Sequence, residues 1–219
     1  MGTGTGRWAI EMAQTFPQAQ VHGVDLEESR TISGKTPSTP LNYVFLKGNV
    51  LQRLPFNDET FDFVHQRLLV AGIPFARWPD VIRELLRVTK RGGWIELVEG
   101  GTSSSKEGPA IARLTSWNKA LMSPAGIDIY NIHKLAPVAQ QNGLNCEQRI
   151  YNVPIGTWSG RIGILAQQDL LAVFDSLTPR YQQLLGISAN EVNTLRQQVI
   201  QEWDDLHYQL SVFVFCGQK

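Results

Sequence analysis

At 219 residues, with 42% hydrophobic and 18% charged residues, the chain has the composition of a globular domain, not of a disordered one. Its 20 Lys and Arg are balanced by 20 Asp and Glu, which argues against a nucleic-acid binder with its basic excess. Two isolated cysteines supply no disulfide framework or zinc spacing, no apolar run reaches the length of a membrane span, and no signal peptide opens the chain, so a soluble cytoplasmic protein without membrane or metal is expected.

In chain order, Arg7–Thr15 carries a helical stripe of Trp8, Ala9, Met12 and Ala13, closed by Pro17. Strands are predicted at Val21–Asp25, Tyr43–Leu46 and Phe61–Gln66, with a polar loop over Glu27–Pro40. Pro79 and Asp80 open a helix whose inner face is Val81, Ile82, Leu85, Leu86 and Val88, and Gly92-Gly93 stops it before a strand at Trp94–Val98. Arg83, Arg87, Lys90 and Arg91 are interleaved with that apolar face and read as solvated helix surface. Helices are expected at 110–122 and 131–141, the second bent at Pro137. A strand follows at 144–153, then a helix over 161–185 broken at Thr178-Pro179. Ser188 with Glu191 forms a capping box for a helix reaching about Leu206, and Tyr208–Cys216 is a closing strand. This order implies an α/β, doubly wound, Rossmann-like domain over 1–219. Its sheet would be mostly parallel with an antiparallel C-terminal strand, and a helical insertion would span about 157–206.

Chemistry enters at the first residues. Gly2-Thr3-Gly4-Thr5-Gly6 runs directly into a helix. Glycines there permit tight turns and close approach of a ligand to the main chain, and the helix start offers free N–H groups. Asp25, at the end of a strand about twenty residues on, could accept both ribose hydroxyls of an adenosine moiety. Gly4-x-Gly6-x-x-Ala9 satisfies a dinucleotide fingerprint equally well, and a purely structural turn is the third reading.

Two downstream stretches separate these readings. Leu54-Pro55-Phe56-Asn57-Asp58-Glu59-Thr60-Phe61-Asp62-Phe63-Val64, and Glu84-Leu85-Leu86-Arg87-Val88-Thr89-Lys90-Arg91-Gly92-Gly93, follow the glycine loop. Together the three motifs, over residues 2–100, resemble class I S-adenosylmethionine (SAM)-dependent methyltransferases of the small-molecule type. The resemblance implies SAM as methyl donor, S-adenosylhomocysteine as product and a small-molecule acceptor. It places Gly2, Thr3, Gly4 and Gly6 on the methionine part, Asp25 on the ribose, and Leu26, Asn49 and Val50 around the adenine. Gln66 and Arg67 would lie near the reacting methyl. Where the family has an acidic residue at the adenine, this sequence has Asn49, whose side-chain oxygen can still accept a hydrogen bond.

The family's glycine loop follows a first strand, whereas here only Met1 precedes Gly2. The expectation is a truncated frame, with a rearranged sheet or a replacement strand as the alternatives. His65, His133 and His207 are the candidate general bases for a hydroxyl acceptor. Trp117, Tyr130, Trp158 and Tyr208 are candidates for lining an acceptor pocket. A non-catalytic SAM-binding scaffold and an NAD(P)-dependent oxidoreductase are the competing functions, and self-association into a homo-oligomer is left open.

Overall fold

A computed structural model describes residues 1–27, 39–103 and 107–219. The loop expected at Glu27–Pro40 therefore lies, from 28 to 38, outside the described residues.

The apolar spacing of the sequence becomes packing directly. Helix α1 (Arg7–Thr15) buries Ala9, Ile10 and Ala13 against strands β1 (Val21–Asp25) and β2 (Tyr43–Lys47), which pair in parallel. Strand β3 (Phe61–Arg67) pairs in parallel with β4 (Thr89–Ser103), and α2 (Trp78–Val88) connects them. Trp78, Val81, Ile82, Leu85 and Val88 of α2, one helical stripe, are all fully buried. Beyond β4 come α3 (Pro109–Met122), a tight turn at Ile129–Lys134, α4 (Leu135–Gln141) and β5 (Asn145–Pro154). Helices α5 (Gly160–Leu185) and α6 (Ala189–Asp205) then lead to β6 (Gln209–Gln218), inserted antiparallel between β4 and β5. The architecture is thus α/β, with parallel strands and a reversed C-terminal strand.

The sheet is divided. β1 and β2 form one sheet and β3-β4-β6-β5 another, and among the described residues no ladder joins β1 to β3. Met1–Thr3 bridges them instead. The Met1 amine donates to the His65 carbonyl (2.6 Å), and the Thr3 N–H donates to the Val24 carbonyl (3.0 Å). Three residues reach one bond to each side, which is too little for a ladder.

Other differences have local causes. β4 begins at Thr89, immediately after α2, because the ladder resumes there: Phe61 pairs with Thr89 and Phe63 with Trp94, leaving Gly92-Gly93 in a bulge. Lys90 and Arg91 therefore stand on a strand, not a helix. All four cations of that basic run are ion-paired, Arg83 to Asp80, Arg87 to Glu84 and Asp58, Lys90 to Asp62 and Arg91 to Glu59, so they form no phosphate track. α4 starts at Leu135, with Pro137 in its first turn, where a missing N–H costs nothing. α5 runs unbroken through Pro179.

Beside the small cluster under α1, two larger apolar cores result. One gathers α2, α4 and the inner faces of the sheet, including Ile95, Leu97, Phe213 and Phe215. The other joins α3, α5 and α6 around Trp117, Tyr181, Leu195 and Trp203. Among the described residues no helix is long and apolar enough to cross a membrane.

Candidate ligand-binding site

The C-terminal ends of β1 and β2 and the N-terminal loop meet at a cavity of about 150 Å³. Its walls come from Gly2, Asp25, Leu26, Asn49 and Val50, all anticipated, and from Met1, Val24, Gly48, Leu51, Leu69, Gly72 and Ile73, which were not. Small-molecule sites commonly measure about 300–1,000 Å³, so a ligand of that size would be enclosed only in part.

The glycine loop and the acidic residue are in direct contact. The Gly4 N–H donates to Asp25 Oδ2 (2.7 Å), and the Leu26 N–H donates to Asp25 Oδ1 (2.7 Å). Each carboxylate oxygen can accept a further hydrogen bond, so a vicinal diol could be held by the pair. Gly2, Gly4 and Gly6 have φ of 63°, 54° and 75°, the left-handed region that other residues enter at a cost. At Gly2 the reason is also steric, since a Cβ there would lie 2.5 Å from Leu69 Cδ2.

The remaining walls are apolar apart from Asn49, whose Oδ1 accepts the N–H of Leu51 (2.9 Å) and folds 49–51 into a tight turn. Leu26 is 56% exposed at the rim. The Met1 amine is buried, which lowers its pKa to about 6 against the pull of Asp25.

Thr3 and Gly6 support the loop from behind, through the Thr3–Val24 bond and a Gly6 N–H to Thr3 carbonyl bond (2.8 Å). Gln66 is fully buried, and Arg67 is exposed; neither borders the cavity. None of the three histidines borders it either. His65 stacks on Trp8 with centroids 4.1 Å apart, and its Nδ1 lies 2.9 Å from Glu96 Oε1. Burial lowers the His65 pKa, and Glu96 opposes that shift. His133 is exposed in the turn before α4, and His207 is exposed beside Trp158 with centroids 4.8 Å apart. Trp117 and Tyr208 are buried in the helical core, Tyr130 is half-buried with its hydroxyl toward the Thr115 carbonyl (3.5 Å), and Trp158 donates to the Ile155 carbonyl (2.8 Å).

The unanticipated wall, Leu69–Ile73, follows β3 and reaches the cavity through a turn that no motif marks. One signal was available: Leu69 and Ile73 are apolar residues just past a strand end, at the sheet edge where ligands bind in such folds.

Residues 1–93 match a family model described as a methyltransferase domain. Over 210 residues the chain is 26% identical to the N-methyltransferase sirN of Leptosphaeria maculans, covering 93% of this chain and 72% of that one. Over 99 residues it is 35% identical to demethylmenaquinone methyltransferase of Halalkalibacterium halodurans, covering 44% of this chain and 40% of that one. A solved structure of phosphoethanolamine N-methyltransferase 2 of Haemonchus contortus, in complex with S-adenosyl-L-methionine, matches 100% of this chain and 47% of that one. The TM-score is 0.56 at 16% identity, a likeness of fold.

Proposed function

We propose, from the premise that the chain belongs to the class I SAM-dependent methyltransferases, that it binds SAM at the Asp25 cavity and methylates a small-molecule acceptor. One observation carries the reading: the Asp25 carboxylate is tied to the glycine loop through the Gly4 N–H at 2.7 Å, at the rim of a cavity with apolar walls. The residues fit an adenosine-bearing donor. Asp25 retains acceptor capacity for two ribose hydroxyls, Val50, Leu51 and Ile73 offer apolar surface to a flat base, and Gly2 keeps the floor open where a Cβ would close it.

When bound, SAM supplies a methyl group already made electrophilic by its sulfonium. The chain's own task is positioning and exclusion of water. Asp25 would orient the ribose, the cavity walls would desolvate the base, and the amides opening α1 would suit the donor's carboxylate. Since none of His65, His133 and His207 borders the cavity, the proposed mechanism relies on alignment of an acceptor that is already nucleophilic.

A small-molecule acceptor is supported by the balanced charge of the chain and by the names of the proteins it is similar to. Two free thiols, Cys146 and Cys216, favour the cytoplasm as the compartment.

Calorimetric titration with S-adenosylhomocysteine, NAD and NADP tests the reading. Binding of S-adenosylhomocysteine, abolished or strongly weakened in Asp25→Ala, is expected. Binding of the dinucleotides alone would overturn it in favour of an oxidoreductase. Methyl transfer across a panel of small amines and phenols then separates an enzyme from a SAM-binding scaffold.

A further inference from the structure

Strand β3 leaves the sheet abruptly. Its last ladder bond is the Leu68 N–H to the Val98 carbonyl (2.9 Å), and Leu68 itself turns with φ 55°. The next two amides, Leu69 and Val70, point into the molecule with no strand to receive them. They are met by one side chain: Glu99 at the far end of β4, fully buried, accepts from the Leu69 N–H through Oε1 (3.1 Å) and from the Val70 N–H through Oε2 (3.0 Å).

These amides carry a wall of the site. Leu69, Gly72 and Ile73 border the cavity, and Leu69 Cδ2 defines the space that only a glycine at position 2 leaves free. Gln66, also fully buried, lies beside the carboxyl. A carboxyl in such surroundings is costly to bury, and here both of its oxygens are engaged by backbone of the cavity wall.

We propose that Glu99 is a positioning residue of the donor site, holding Leu69 and Val70 so that the Leu69–Ile73 wall keeps its distance from Asp25 and the width of the cavity is set. This rests on the reading of the cavity as the SAM site. The groups facing Glu99 are the Leu69, Val70 and Gln66 amides, none of them charged. Burial raises its pKa to about 7 while the two N–H groups pull the other way. The ionised form, with both oxygens as acceptors, is the one that grips both amides.

The test compares wild type with Glu99→Gln, whose amide must set a donor against one of the two N–H groups, and with Glu99→Asp, which keeps the charge on a shorter arm. The readouts are S-adenosylhomocysteine affinity across neutral pH and hydrogen exchange at Leu69 and Val70. In Glu99→Gln, affinity should fall about 10-fold or more, the loss of one charged-acceptor bond, with faster exchange at the two amides. Wild-type affinity should rise as pH increases through neutrality, and that rise should vanish in the Gln variant. Affinity within about twofold of wild type, with unchanged exchange, would overturn the proposal. Should Glu99→Gln fail to fold, Glu99→Asp decides by the same two readouts. If wild type binds no S-adenosylhomocysteine, the donor-site reading fails, and the exchange data still decide whether Glu99 holds this segment.

Discussion

At the scale of single residues, the site rests on a few short contacts whose removal has calculable effects. Asp25→Ala deletes the proposed acceptor for a ribose diol and the anchor of the Gly4 amide (2.7 Å) together. Hydrogen bonds to a charged acceptor are worth about 1.5–3 kcal/mol, so S-adenosylhomocysteine affinity by calorimetry should drop about 10- to 100-fold. Glu99 has a second consequence, for stability. Its pKa is raised from 4.5 to about 7 in the folded chain, so the unfolded chain releases this proton first. Its stabilising contribution is whole below about pH 4.5 and is lost as pH rises through about 7, amounting to about 3 kcal/mol at full ionisation. Urea denaturation should therefore show Glu99→Gln gaining on wild type as pH climbs through that window. The contact of Asp25 with the glycine loop was legible in the sequence because its signal is local, a carboxylate at a strand end spaced from that loop. Glu99 was not, because its partners lie 30 and 29 residues away and meet it only when two strands pair.

At the scale of elements, the boundaries that local chemistry dictates appear where expected. Ser188 and Glu191 form the reciprocal capping box that starts α6, as their spacing indicates. Where packing overrules local preference, sequence reading fails. Pro179 should break α5, yet Phe174 on one side and Tyr181 on the other are buried in the helical core and hold the axis through it. The Thr178 hydroxyl takes up the Phe174 carbonyl (3.2 Å). Since an interior proline costs about 3 kcal/mol against alanine, Pro179→Ala should stabilise the chain by about 1–3 kcal/mol in urea denaturation. The start of α3 shows a cap that no sequence window contains. Glu202 of α6 accepts the N–H groups of Ala110 (2.8 Å) and Ile111 (2.9 Å), in place of a side chain from the residue before the helix. Glu202→Ala leaves both amides without that acceptor and should lower stability by about 1–3 kcal/mol, read from the same denaturation curves.

At the scale of the whole molecule, the division between the sheet core and the helical core sets the proposed donor site apart from the helical layer. The cavity draws on β1, on the loops after β2 and β3, and on the first residues, all on the side of the sheet core. Trp117, Tyr181, Leu195 and Trp203 belong to the other core. The β5–β6 ladder runs between the two, its register going from Asn145 opposite Gln218 to Pro154 opposite Gln209. Phe213 and Phe215 at one end of β6 serve the sheet core, while Leu210 and the adjoining Tyr208 serve the helical one. A strand shared in this way passes a loss of packing in one core to the other only through backbone pairing, which opens in larger units than side-chain contacts do. Leu195→Ala empties a fully buried position in α6 and should cost about 2–5 kcal/mol. The expected signature is uneven: hydrogen exchange in α3, α5 and α6 should quicken well before that at β1 and β3, while affinity for S-adenosylhomocysteine stays near wild type. Equal acceleration in both halves, with affinity falling in step, would mean that the layers open as one unit and that the helices take part in shaping the proposed donor site.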